Sequence, residues 1–234
     1  MDQPLPANAG FTGYGGAVTS QEQRNRVLRN TYWLLALSMV PTVLGAWIGV
    51  STGITRSMGA GMSAIVFLVG AFGLIFAIEK TKSSAAGVPV LLGFTFFMGL
   101  MLSRLIGIVL GMNNGAGLIM TAFTGTGVIF LGMATLSTVI KRDLSSMGKF
   151  LFVGVIMLIV ASIANIFLHS SALMITVSVL AIGIFSAFII YDLKRVRDGF
   201  ETNYISATLA IYLDLYNVFQ SLLSILGIAG SSND

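Results

Sequence analysis

The chain has 234 residues, of which 56% are hydrophobic and only 9% charged, with a formal net charge of +4. A soluble domain carries about 25% charged residues, so this chain has too little polar surface to cover a globule in water, and its mean hydropathy of +0.91 marks an integral membrane protein. Cysteine is absent and His169 is the single histidine, which excludes disulfides, thiolate metal sites and a histidine zinc centre.

The chain opens on Met1 to Ser20, rich in glycine and alanine and with no apolar run behind a basic start. It does not read as a cleaved signal peptide, and residues 1–30 are expected to form a flexible cytoplasmic tail. The first membrane helix then serves as its own uncleaved signal. Crossing about 30 Å of hydrocarbon takes roughly 20 helical residues, and seven apolar runs meet that length: about 31–52, 61–78, 87–110, 116–139, 149–168, 172–191 and 205–229. Short connections make successive helices antiparallel neighbours, so residues 31–230 are expected to form one domain. Continuously apolar runs such as Phe150 to Leu168 lack the alternation of a membrane barrel, and a backbone in lipid must satisfy its polar groups within the segment. The expected fold is an all-α, seven-transmembrane-helix bundle.

Basic residues fix the expected orientation. Numbering the loops alternately puts Arg24, Arg26, Arg29, Lys80, Lys82, Lys141, Arg142, Lys149, Lys194, Arg195 and Arg197 on one side and Arg56 alone on the other, with Arg104 inside the third run. Positive charge marks the cytoplasmic side, which predicts a cytoplasmic N-terminus and a C-terminus outside. The net charge thus reflects topology, and basic residues scattered over short loops give a nucleic-acid partner no support.

Two acids stand out against this background. Asp192 closes the sixth run after Phe185-Ser186-Ala187-Phe188-Ile189-Ile190-Tyr191, and Asp214 lies within the seventh. At 1.5 Å per residue Asp214 is expected about 13 Å deep from the cytoplasmic end. An ionised carboxylate at such depth costs about 2.5–3.5 kcal/mol by insertion scales, so intramembrane acids are functional candidates. Asp214, Asn217, Ser221 and Ser224 follow helical spacing and share one face, which must point into the bundle or a watery cavity. Structural roles compete with functional ones: Asp214 as a bonded structural acid, Asp192 as a helix-end charge beside Lys194 and Arg195, Arg104 as a snorkelling cation, and His169 as a solvated helix end. Gly45-x-x-x-Gly49 and Gly107-x-x-x-Gly111 permit close helix approach, inside the bundle in preference to a dimer.

No phosphate-binding loop, metal-binding histidine spacing or nucleophile elbow occurs, and the chain is not expected to be an enzyme. An intramembrane aspartyl protease would pair Tyr-Asp with Gly-x-Gly-Asp; Tyr191-Asp192 supplies the first, but Asp214 follows Tyr212-Leu213.

The segment Ile190-Tyr191-Asp192-Leu193, a short charged loop, and then Ala210-Ile211-Tyr212-Leu213-Asp214-Leu215-Tyr216-Asn217-Val218-Phe219 resembles the Bax inhibitor-1, or transmembrane Bax inhibitor motif, family. Lys141-Arg142-Asp143-Leu144-Ser145 and Phe150-Leu151 are similar to it too, and the resemblance covers the chain after Arg24. Arg29-Asn30-Thr31-Tyr32-Trp33 looks like the proteobacterial, YccA-type inner-membrane branch. The resemblance implies a seven-helix fold with a central C-terminal helix and an aspartate pair, carried here by Asp192 and Asp214, that acts as a proton-sensitive latch on a calcium leak. It also implies a latch cation at the end of the second helix, for which Lys80 and Lys82 are the candidates. For the proteobacterial branch it implies modulation of a membrane-anchored ATP-dependent protease of the FtsH type. Calcium takes 6–8 oxygen ligands; two carboxylates with Asn217 and a few carbonyls make a weak, transient site suited to a permeant ion. No resident cofactor is expected.

Overall fold

The structure, a computed structural model, describes residues 20–231. Most of the expected tail therefore lies outside the described residues, which form helices and no strands: α1 Gln21–Thr52, α2 Ile54–Ser57, α3 Gly59–Thr81, α4 Gly87–Leu110, α5 Gly115–Val139, α6 Met147–Leu168, α7 Ser171–Asp198 and α8 Tyr204–Ser231. All but α2 are long and apolar enough to cross a membrane. The seven-helix reading of the sequence is thus the observed architecture.

Two boundaries differ from the sequence expectation in ways that matter for the site. First, α1 begins at Gln21 and not near residue 31, because the Ser20 hydroxyl accepts from Gln23 N at 3.2 Å and caps the helix. Arg24, Arg26 and Arg29 therefore ride on a helix. Second, α7 does not stop at Tyr191-Asp192 but runs on to Asp198. Nothing breaks it earlier: Leu193 and Val196 are buried, and Lys194 Nζ bonds Asp198 Oδ2 at 2.9 Å within the helix. It ends where Gly199 takes φ 86°, the left-handed conformation that glycine adopts without a side-chain clash. Asp192 is thus inside a helix, and the connection to α8 shrinks to residues 199–203. The short α2 was not legible in the sequence; Gly53 at φ 65° and Gly59 at φ 70° isolate it.

Helix α8 is the centre of the bundle, touching α1, α3, α4, α5 and α7. The core gathers around it: Ile211, Tyr212 and Leu215 pack with Leu91, Phe94 and Met98 of α4, Ile189 and Leu193 of α7, and Leu34 and Leu35 of α1. Lipid gives no hydrophobic drive for helices to associate, so close contact and interhelical polar bonds must hold them. Both are present. The Tyr212 hydroxyl meets Thr42 Oγ1 of α1 at 2.9 Å and the Thr95 carbonyl of α4 at 3.4 Å. Helices α1 and α4 approach through glycine: a methyl on Gly45 would overlap the Phe96 carbonyl, and one on Gly99 the Thr42 carbonyl. Gly45-x-x-x-Gly49 therefore serves packing within the bundle, whereas among the described residues a methyl on Gly107 would meet just the Arg56 guanidinium.

Candidate functional site

The connection before α8 is held tightly. Asn203 Oδ1 accepts from Ile205 N at 2.9 Å and Ser206 N at 3.2 Å, capping α8, while its Nδ2 donates to the Lys82 carbonyl at 2.9 Å. One side chain thus starts α8 and fastens it to the end of α3. An asparagine directly before an apolar helical run is a capping signal, which the sequence reading passed over.

With α7 extended and α8 anchored beside it, Asp192 and Asp214 come together. Both are buried, Asp214 at 5% exposure and Asp192 at 9%, and their carboxyls lie within hydrogen-bonding reach of each other. An ionised carboxylate can only accept, so a hydrogen bond between the two needs a shared proton. Among the described residues no donor bonds the buried Asp214 Oδ2. Arg195 Nη1 lies 3.8 Å from Asp192 Oδ1, and Glu201 adds a further negative charge nearby.

The sequence candidates for a latch cation are placed elsewhere. Lys82 Nζ pairs with Glu79 on its own helix, and Lys80 sits over the Phe76 ring, 5.3 Å from its centroid. The spacing explains both. Glu79 is three residues from Lys82 and Phe76 four from Lys80, distances at which helical side chains meet. Arg195, which the sequence reading had treated as a loop charge, is the cation the fold delivers to Asp192.

The rest of the α8 stripe separates from the pair. Asn217 Nδ2 donates to the Leu213 carbonyl at 2.7 Å. With Ser221 and Ser224, Asn217 lines a cleft of about 490 Å³ between α6, α7 and α8. His169 caps α6 at φ 50° and is exposed, as a helix-end residue would be, and Arg104 is half-buried on α4. Among the described residues no three acids or histidines gather as a metal centre.

Comparison with known proteins decides the family. A family model described as "Inhibitor of apoptosis-promoting Bax1" matches residues 24–231. The chain belongs to the Bax inhibitor-1 family. Among bacterial relatives, an uncharacterized membrane protein of Vibrio cholerae is 37% identical over 212 residues, covering 90% of this chain and 93% of the relative. A protein of Escherichia coli named "Modulator of FtsH protease YccA" is 36% identical over 211 residues, 90% of this chain and 94% of its own length. The same YccA of a second E. coli strain is named an inner membrane protein. In this Bax inhibitor-1 family member, the residues that carried the resemblance have structural work to do: Tyr212 bonds α1 and α4, and Tyr191 packs against Gly148 of α6, where a methyl would overlap its ring. What the pair can do chemically follows from its setting. Two carboxyls in a bundle core bind one proton between them, or, with that proton gone, present a double negative charge that a cation must balance.

Proposed function

We propose that this protein is an inner-membrane, pH-sensitive cation leak in which the carboxyls of Asp192 and Asp214 form the gate and calcium is a permeant ion. The observation that carries this reading is the buried carboxyl pair, which brings two acids of different helices together with, among the described residues, no ion pair from a third helix to either. While the pair holds a shared proton, α7 and α8 are bonded across it and the negative charge is halved. Loss of the proton breaks the bond, sets the two carboxylates against each other and creates the charge that draws in a cation. Flux therefore rises with pH. The ligand set supports passage in place of storage, since two carboxylates supply fewer oxygens than the 6–8 a calcium ion takes.

The test is calcium flux through purified protein in liposomes across a pH series around neutrality. The wild type should leak more as pH rises. Asp214→Asn should remove the pH dependence, and Asp192→Asn should weaken it less, because Asp192 stands closer to the helix end and to Arg195. The same pH profile in both variants would sink the gate.

A second reading is favoured by a different observation. The E. coli relative named a modulator of FtsH protease aligns over 90% of this chain, which supports a role in which the protein adjusts a membrane-anchored ATP-dependent protease. Proteolysis of a membrane substrate, measured with full-length protein and with residues 1–23 removed, tests it. The two roles are compatible in one molecule.

A further inference from the structure

Helix α6 touches no helix but α7. The cleft this leaves between α6 and α8, floored by α7, measures about 490 Å³. Polar side chains from all three helices line it: Ser162 of α6, Ser178 of α7, and Asn217, Gln220, Ser221 and Ser224 of α8. Their hydrogen bonding is unlike that of the rest of the bundle. Thr31, Thr42, Thr126, Thr135 and Thr176 each bond the carbonyl four residues earlier, and Ser38 and Ser137 the one three residues earlier. The hydroxyls of Ser162, Ser178, Ser221 and Ser224 and the amide of Gln220 bond nothing among the described residues. Ser162 and Gln220 are exposed, and Ser178, Ser221 and Ser224 are not sealed in, since among the described residues the buried orphan side-chain atoms are those of Arg24, Ser206 and Asp214. These groups open onto the cleft.

Position gives the cleft a direction. Its lining extends from Asn165 and Met174, near the α6–α7 turn, to Phe185 and Asn217 farther along the helices. Asn217 is three residues along α8 from Asp214, about one helical turn. The orphan oxygen of Asp214 thus stands just beyond the Asn217 end.

The occupant follows from the chemistry of the lining. Acyl chains would leave every one of these hydroxyls unsatisfied in hydrocarbon, which polar groups resist. Water can bond each of these groups, and a cleft of about 490 Å³ holds more than one molecule. We propose that the cleft between α6, α7 and α8 is a water-filled vestibule leading from the α6–α7 turn to Asp214, and that it forms one half of the cation path. The second clause rests on the leak reading; the hydration does not.

The natural absence of cysteine makes the test clean, since each introduced thiol is unique. Ser178→Cys, Ser221→Cys and Ser224→Cys are made in the full chain in lipid nanodiscs, beside Val160→Cys on the lipid face of α6 and Val218→Cys in the core. A cationic methanethiosulfonate reacts with thiolates, which form in water and not in hydrocarbon. The cleft positions should therefore be modified on the order of tenfold faster than Val160→Cys or more, and modified Ser224→Cys should lose most of its calcium flux in liposomes. Where Ser178→Cys does not yield monodisperse protein, Ser162→Cys takes its place. Cleft thiols no faster than Val160→Cys would overturn the vestibule in favour of lipid. Protection that vanishes when a co-purifying protein is stripped away would overturn it in favour of a docked partner. Fast labelling with unchanged flux in a leaking protein would overturn the path. Fast labelling in a protein with no flux at any pH would leave the vestibule standing and remove the leak.

Discussion

Arg195 and Asp192 lie one turn apart on α7, with Nη1 3.8 Å from Oδ1, and the same guanidinium rests over the Tyr191 ring at 5.7 Å. An ion pair within one helix cannot bolt that helix to another. Arg195 therefore adjusts the charge of the carboxyl pair without holding α7 against α8. Arg195→Gln should leave folding intact and move the flux–pH profile to higher pH, because the double negative charge loses a nearby cation. The guanidinium is partly exposed, so the expected displacement is only on the order of half a pH unit. Calcium flux of the variant in the same pH series checks it.

The glycine contacts of α1 and α4 make a stability prediction. Gly99→Ala drives a methyl into the Thr42 carbonyl, and backbone cannot swing aside as a side chain can. A cost of about 1–3 kcal/mol is expected, read as a lower Tm of the purified protein in detergent. Gly73→Ala, where an added methyl meets nothing within 4 Å, should leave Tm unchanged or raise it slightly.

Tyr212 is predicted to matter through its hydroxyl. Tyr212→Phe keeps the ring against Phe94 and removes the 2.9 Å bond to Thr42. Thr42 retains its bond to the Ser38 carbonyl, so the loss should be about 1 kcal/mol, the net worth of one hydrogen bond. Thermal unfolding of Tyr212→Phe beside Thr42→Val tests this; the double variant should cost less than the sum.

The turn before α6 carries a local pH dependence. The Ser145 backbone N–H donates to Asp143 Oδ1 at 2.8 Å, and its hydroxyl donates to the other oxygen. These bonds favour the charged form and hold the Asp143 carboxyl below the usual value of 3.8. A depressed folded value means that the turn is supported above the unfolded value and loses that support as pH falls through the folded one. Protection of the Ser145 amide against hydrogen exchange should be constant around neutrality and fall only below pH 3.8. Asp143→Ala should abolish it throughout.

The charge distribution makes a topological prediction. Reporter fusions at Lys80, Lys141 and Glu201 should report from the cytoplasm and a fusion at Asp234 from outside, following the excess of arginine and lysine on one side. A cytoplasmic Asp234 would reverse the direction of the vestibule relative to the cell.

The sequence by itself determined the seven helices and where they cross. A run such as Phe150 to Leu168 is apolar throughout, and a backbone in hydrocarbon can satisfy its polar groups only by forming a helix. That constraint is local, so reading the chain segment by segment suffices. Asp192 and Asp214 stood out as candidates for the same reason, since a carboxylate at membrane depth is costly wherever its neighbours lie. Neighbours themselves were not legible from hydropathy; the family resemblance alone implied a central C-terminal helix. All seven runs are similarly apolar, and hydropathy does not say that α8 touches five helices while α6 touches one. Only packing decided that α7 continues past Asp192, because Val196 is buried against Val27 of the distant α1 and Ala207 of the next helix, α8. Local helical spacing, once α7 and the end of α3 are known to be helix, gives Lys80 to Phe76, Lys82 to Glu79 and Arg195 to Asp192; only packing split the polar face of α8 between a carboxyl pair and an open cleft.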